Sequence, residues 1–143
     1  MRDIRIAATL SAGLCLFALA AEMPSVGQMA PAIALPSQDG GTVDIKSFRG
    51  KWVVLYFYPK DMTTGCTIEA HNFQQDLAKY DVLNAAIVGV SVDSTDSHQQ
   101  FCTKESLTFK LLSDSGKKAV EEYGTLNAAS GMRSEERRVG KEC

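Results

Sequence analysis

The chain has 143 residues, of which 45% are apolar and 22% charged, with a formal charge of −2 at neutral pH. Such a length suits one domain with its own core. The near-balanced charge, with no basic cluster between Ala21 and Met132, excludes the electrostatic footprint of a nucleic-acid binder.

The first residues read as a targeting segment. Arg2 and Arg5 precede an apolar stretch from Ile6 to Ala20, long enough for a signal h-region and short of the ~20 residues that a membrane span needs. Ala18-Leu19-Ala20 supplies the small residues of a cleavage site before Ala21, and Leu14 before Cys15 departs from a lipoprotein box. Residues 1–20 are therefore expected to be a cleaved leader. The mature chain is expected to be exported, to a bacterial periplasm, without stable membrane insertion. From Ala21 to Met132 there are nine Lys and Arg against thirteen Asp and Glu, a charge of −4.

Beyond the leader, Met23 to Ser37 contains Pro24, Pro31 and Pro36 and reads as irregular, and Gln38-Asp39-Gly40-Gly41 as a turn. Thr42 to Ile45 is a candidate short edge strand. Trp52 to Tyr58, rich in Val and aromatics and bounded by Gly50 and Pro59, reads as a buried strand. Ile68, Phe73, Leu77 and Tyr80, with Ala70 and Ala78 between, predict an amphipathic helix over Cys66 to Tyr80. Further elements are a strand over Ala86 to Val92, a polar helix over Thr95 to Glu105 anchored by Phe101, a strand over Phe109 to Leu112 and a helix over Gly116 to Tyr123. This alternation implies βαβ units and a largely parallel sheet in one α/β domain. His71 and His98 read as surface helix residues, and no ligand spacing suggests a metal.

The junction from strand to helix carries the chemistry. Cys66 falls on the first helical turn, where free N–H groups and the helix dipole favour thiolate, the nucleophilic form. A buried structural cysteine is the competing reading of that residue alone. Pro59, Thr63 and Cys66 form the pattern Pro-x-x-x-Thr-x-x-Cys, which resembles that of the peroxiredoxins. The flanking Tyr56-Phe57-Tyr58-Pro59-Lys60-Asp61 and Gly65-Cys66-Thr67-Ile68-Glu69-Ala70 are similar to the peroxiredoxin Q, or bacterioferritin comigratory protein, subfamily. The resemblance runs from about Gly27 to Met132 and includes Val88 to Asp93 and Leu111-Leu112-Ser113-Asp114.

This resemblance implies a thioredoxin-like fold, a central mixed sheet flanked by helices, and no metal or other cofactor. It implies that Cys66 is the peroxidatic cysteine, that Thr63 directs its hydroxyl at thiolate and peroxide, and that Pro59 walls the pocket against water. Glu69, one turn beyond Cys66, would support the site by orienting an arginine, or as a first-turn acid would serve only the helix dipole. Peroxide would be the substrate and a thioredoxin-like protein the reductant, for a monomer or weak dimer. Cys102, 36 residues after Cys66, matches one family branch in which the following helix carries the resolving cysteine, whereas the nearer position used by many relatives is His71. A packing role for Cys102 remains open.

The family's catalytic arginine comes from a strand after the segment ending near Met132. Here Arg133 to Cys143 reads RSEERRVGKEC, without strand periodicity, and matches end to end the in-frame translation of a sequencing-library adapter. Residues 21–132 are thus expected to form an incomplete domain lacking its C-terminal strands and helix, with residues 133–143 an artefact in which Arg133, Arg137 and Arg138 take no family role. An edge left bare along Trp52 to Tyr58 would then favour aggregation. The preferred activity is a thiol-dependent peroxidase, with residues 21–143 as they stand, lacking the arginine-bearing strand, expected to be nearly inactive. A thiol-disulfide oxidoreductase of the same fold, disfavoured because the residue three after Cys66 is Glu69, and a non-catalytic thioredoxin-like module are the alternatives.

Overall fold

The computed structural model describes residues 23–125 together with the backbone of residues 135–139; residues 1–20, expected to be a leader, lie outside the described residues. Strands β1 (Ala34–Pro36) and β2 (Thr42–Asp44) pair antiparallel. Gly40, in the turn between them, has φ +84°, a left-handed value that a residue without Cβ adopts at little cost. The stretch expected to be irregular throughout thus ends in a strand. Three residues, one of them proline, are too few to display a period of two.

The main sheet has the order β5-β4-β3-β6. Strands β3 (Trp52–Phe57), β4 (Ala85–Ser91) and β5 (Lys110–Ser113) run parallel, and β6 (Glu135–Val139) lies antiparallel to β3. Parallel neighbours need crossovers, supplied by helix α1 (Thr64–Val82) between β3 and β4 and helix α2 (Thr95–Glu105) between β4 and β5. The short helix α3 (Lys118–Glu122) follows β5.

Alternation along β3 explains its unbroken apolar run. Val53, Leu55 and Phe57 enter one core with Val88, Val90, Leu112 and the α3 residues Ala119 and Val120. Val54, Tyr56 and the following Tyr58 enter a second core with Cys66, Ala70 and Phe73 of α1 and Phe101 of α2. A parallel sheet covered on both faces has no polar side to advertise.

Two expectations need correction. Ile68 is 58% exposed; the inner stripe of α1 is Cys66, Ala70 and Phe73, continued by the partly buried Leu77 and Tyr80. These recur at intervals of four and three residues, and Ile68 sits about half a turn away from them. The second correction concerns the tail. Backbone pairing runs from Val53 opposite Val139 to Phe57 opposite Glu135, so residues of the tail itself occupy the edge of β3 that was expected to be bare. Strand addition is driven by the unpaired N–H and C=O groups of the edge, and it does not require alternating side chains in the added segment.

Candidate active site

Cys66 owes its position to the end of β3. Tyr58 still donates its N–H to the Val90 carbonyl at 3.1 Å, after which Pro59 breaks the ladder and the chain turns into α1. Thr63 is the N-cap residue, extended at φ −81° and ψ 149°, and Cys66 is the third helical residue. The Thr67 N–H donates to the Thr63 carbonyl at 2.9 Å, the first bond of the helix. Cys66 is 7% exposed, and both Cys66 and Cys102 are free thiols.

The other expected residues differ in their settings. Thr63 does not cap the helix with its side chain; its hydroxyl instead donates to the Lys60 carbonyl at 3.1 Å. Pro59 is exposed and Glu69 half-buried. Glu69 lines a groove along α1 together with Gly65, Ile68, Asn72 and Phe73. Cys102 lies on α2 against the same apolar cluster as Cys66, and burial pushes its thiol up to about 11, with the negative charge of Asp61 adding to the rise and Lys110 opposing it. The side chains of Arg133, Arg137 and Arg138 lie outside the described residues.

His98 corrects a reading. Far from being a surface residue, it has 0% exposure. Its Nδ1 lies 2.8 Å from Asp61 Oδ2, so the ring donates from Nδ1 to the carboxylate. Asp61 is itself 5% exposed and also accepts from Tyr58 Oη and Ser97 Oγ, each at 2.7 Å. Burial alone would raise the Asp61 carboxyl, but the hydrogen bonds from His98, Ser97 and Tyr58 outweigh it and hold the group below the usual carboxylate value. The Asp61 N–H donates to Asp93 Oδ2 at 2.8 Å. Four segments are thereby tied at one point: the end of β3, the turn before Cys66, the loop after β4 and the start of α2. The signal for this was present but weak, because His98, Phe101, Cys102 and Glu105 recur at helical spacing and place the histidine on the apolar stripe.

Tyr56 was missed as well. Its ring stacks on Tyr58 at 5.4 Å between centroids and contacts Phe73 at 4.7 Å. Burial first, then the nearby Glu69, Cys102, Asp61 and Cys66, push the phenol well above its ordinary value. The ring fits because residue 89 is glycine, where a Cβ would stand 2.8 Å from Tyr56 Cζ and Oη and 2.7 Å from Leu111 Cδ2. Among the described residues, Tyr56 Oη and His98 Nε2 are the buried side-chain polar atoms without a partner.

Comparison with known proteins gives a consistent set of matches. The sequence profile of the AhpC/TSA family matches residues 26–138. Over 98 residues the chain is 45% identical to peroxiredoxin Bcp of Bacillus subtilis, covering 68% of this chain and 62% of that one. It is 46% identical over 100 residues to chloroplastic peroxiredoxin Q of Triticum aestivum, covering 70% of this chain and 46% of that one. The chain thus spans less than two thirds of the length of these two relatives. Among solved structures, cysteine-to-serine variants of Xanthomonas campestris peroxiredoxin Q superpose with a TM-score of 0.66 at 29% identity, covering 76% of this chain and 82% of theirs.

Proposed function

This chain belongs to the AhpC/TSA family, and from that premise we propose that it reduces hydrogen peroxide and organic hydroperoxides through Cys66. The observation that carries the reading is the placement of a buried thiol at the third position of α1, directly after the Pro59 to Thr63 turn. Amide groups of a first helical turn lack intrahelical acceptors and favour an anion, so they would stabilise both the thiolate and the charge that develops on the leaving oxygen.

In this mechanism the Cys66 thiolate attacks one peroxide oxygen. The S–O bond forms as the O–O bond breaks, and the departing oxygen takes a proton and leaves as water or an alcohol, so that sulfur is oxidised to the sulfenic acid. With its own proton given to the Lys60 carbonyl, the Thr63 oxygen is an acceptor for the peroxide O–H. Pro59, with no N–H, borders the site, and Glu69 supports the helix turn. Cys102 then attacks the Cys66 sulfur, a disulfide forms and water leaves; a thioredoxin-like dithiol restores both thiols. In support of Cys102, the two cysteines replaced by serine in the X. campestris structures stand 36 positions apart, the same separation as Cys66 and Cys102. Export by the leader of residues 1–20 and action as a monomer or weak dimer belong to the same reading.

Peroxide consumption with dithiothreitol as reductant tests it. Cys66→Ser is expected to abolish turnover while leaving the circular dichroism spectrum intact, and Thr63→Val to reduce turnover at least tenfold with less than about 1 kcal/mol lost in stability, since no helix cap is removed. More than a few per cent of parent activity in Cys66→Ser would refute the assignment.

A further inference from the structure

The Asp61–His98 pair joins the two segments that carry the cysteines. Asp61 precedes Cys66 by five residues, and His98 precedes Cys102 by four, one helical turn. We propose that Asp61 and His98 are positioning residues for disulfide formation: the pair stays closed while the residues after it in each segment unwind, and it thereby keeps the two cysteines on short tethers. This rests on Cys102 being the resolving residue.

Bridging requires the two Cα atoms to come within about 7 Å, so helical turns have to give way somewhere. The pair resists, because opening it strips one of three donors from a carboxylate that is 5% exposed, and an under-satisfied buried charge is costly. The segments beyond it are weaker. Met62, four residues before Cys66, has φ +59°, and Ser106, four residues after Cys102, has φ +56°; both are non-glycine residues in the left-handed region, a strained state. Gly65 sits in the first turn of α1, where it weakens the helix. Ser106 ends α2, and its N–H and that of Leu107 both reach back to the Cys102 carbonyl. The yielding regions therefore contain the cysteines, and the resistant point lies just upstream of both.

The size of the effect follows from chain statistics. Through the closed pair, Cys66 and Cys102 are separated by five plus four residues, against 36 along the chain. Effective concentration falls roughly as the −3/2 power of tether length, which gives about an eightfold advantage. The sheet also holds both segments, so eightfold is a ceiling.

The test separates the two chemical steps. Reduced full-length chain is mixed with one equivalent of hydrogen peroxide and quenched at intervals, and Cys66 thiol, dimedone-trapped sulfenic acid and the Cys66–Cys102 disulfide are quantified by mass spectrometry. In His98→Leu, loss of the Cys66 thiol is expected within twofold of parent while disulfide formation slows three- to eightfold. His98→Asn, whose side-chain amide can donate near the Nδ1 position, is expected to restore disulfide formation to within twofold. If His98→Leu does not fold, Ser97→Ala, which withdraws a different donor from Asp61, is read for the same slowing. His98→Leu, or Ser97→Ala read in its place, forming the disulfide as fast as parent or slowing both steps alike overturns the proposal, as does His98→Asn remaining as slow as His98→Leu. A parent that loses its thiol to peroxide without forming this disulfide overturns both the proposal and the resolving role of Cys102, and a parent that does not react overturns the peroxidase reading too.

Discussion

Cys102 is chemically restrained by where it sits. Its carbonyl anchors the end of α2, its side chain is half-buried in the cluster that also holds Cys66, and its thiol is pushed up to about 11, mainly by burial. At neutral pH such a sulfur is a neutral thiol and a poor nucleophile. Unwinding the last turns of α2 would return it to water and to the ordinary thiol range near 8.5, and in the proposed resolving step this would couple its reactivity to its approach to Cys66. Alkylation of the reduced, folded Cys66→Ser variant by iodoacetamide, followed by peptide mass spectrometry, is expected to modify Cys102 at pH 8 at least tenfold more slowly than in the same protein unfolded in urea. Equal rates would show that the fold does not hold this thiol back. The folded value lies above the unfolded one, so the associated stability is present below the unfolded thiol pKa and is lost as pH rises through about 11.

At the scale of elements, the contact between the pre-α1 turn and α2 rests on one carboxylate with three side-chain donors, a charge-assisted set. Because hydrogen bonding holds Asp61 below the usual carboxylate value, its contribution to stability is fully present above the unfolded Asp value of about 3.9 and is lost as pH falls through the lower folded value. Asp61→Asn has one acceptor oxygen and an unwanted donor in place of two acceptors, and is expected to cost about 2–3 kcal/mol at pH 7. Urea unfolding at pH 7, 5 and 3 provides the check, with the difference between parent and variant narrowing at pH 3. A gap that stays constant with pH would remove Asp61 from the acid limb of the stability curve. Met62 follows this carboxylate directly and has a left-handed backbone, so the same anchor holds a strained turn against the start of α1.

For the molecule as a whole, β6 changes the position of the strand that leads to Cys66. With β4 on one side and β6 on the other, β3 is an interior strand and its apolar residues are covered on both faces. Ending the chain at Met132 removes β6 and exposes the backbone groups that Val53 to Phe57 direct toward it. Such an edge is a template for pairing with another chain. The shortened chain is expected to show increased light scattering and aggregate in size-exclusion chromatography at concentrations where residues 21–143 remain dispersed. Indistinguishable profiles would mean that the β6 pairing does not protect the sheet.

The primary structure by itself determined the βαβ order, the buried strand before Cys66, the helix that begins around that residue and the limits of α2, because each depends on local periodicity, a cap or a proline. It also placed Cys66, Thr63 and Pro59 at one junction, where spacing of a few residues is enough to bring groups together. Tertiary structure alone decided the rest. The inner stripe of α1 follows Cys66, Ala70 and Phe73 and leaves Ile68 outside, a choice made by which residues meet the sheet. Helical spacing puts His98 on the stripe of Phe101, but its partner Asp61, 37 residues earlier, is brought to 2.8 Å only by the fold; no local pattern encodes a hydrogen bond between two crossovers of a sheet. Gly89 makes room for a tyrosine of the neighbouring strand, and the pairing of Glu135–Val139 answers backbone groups of β3, to which side-chain alternation is blind. What one segment encodes about itself could be read from it, whereas contacts that depend on long-range closure of the chain appear only once the layers are packed.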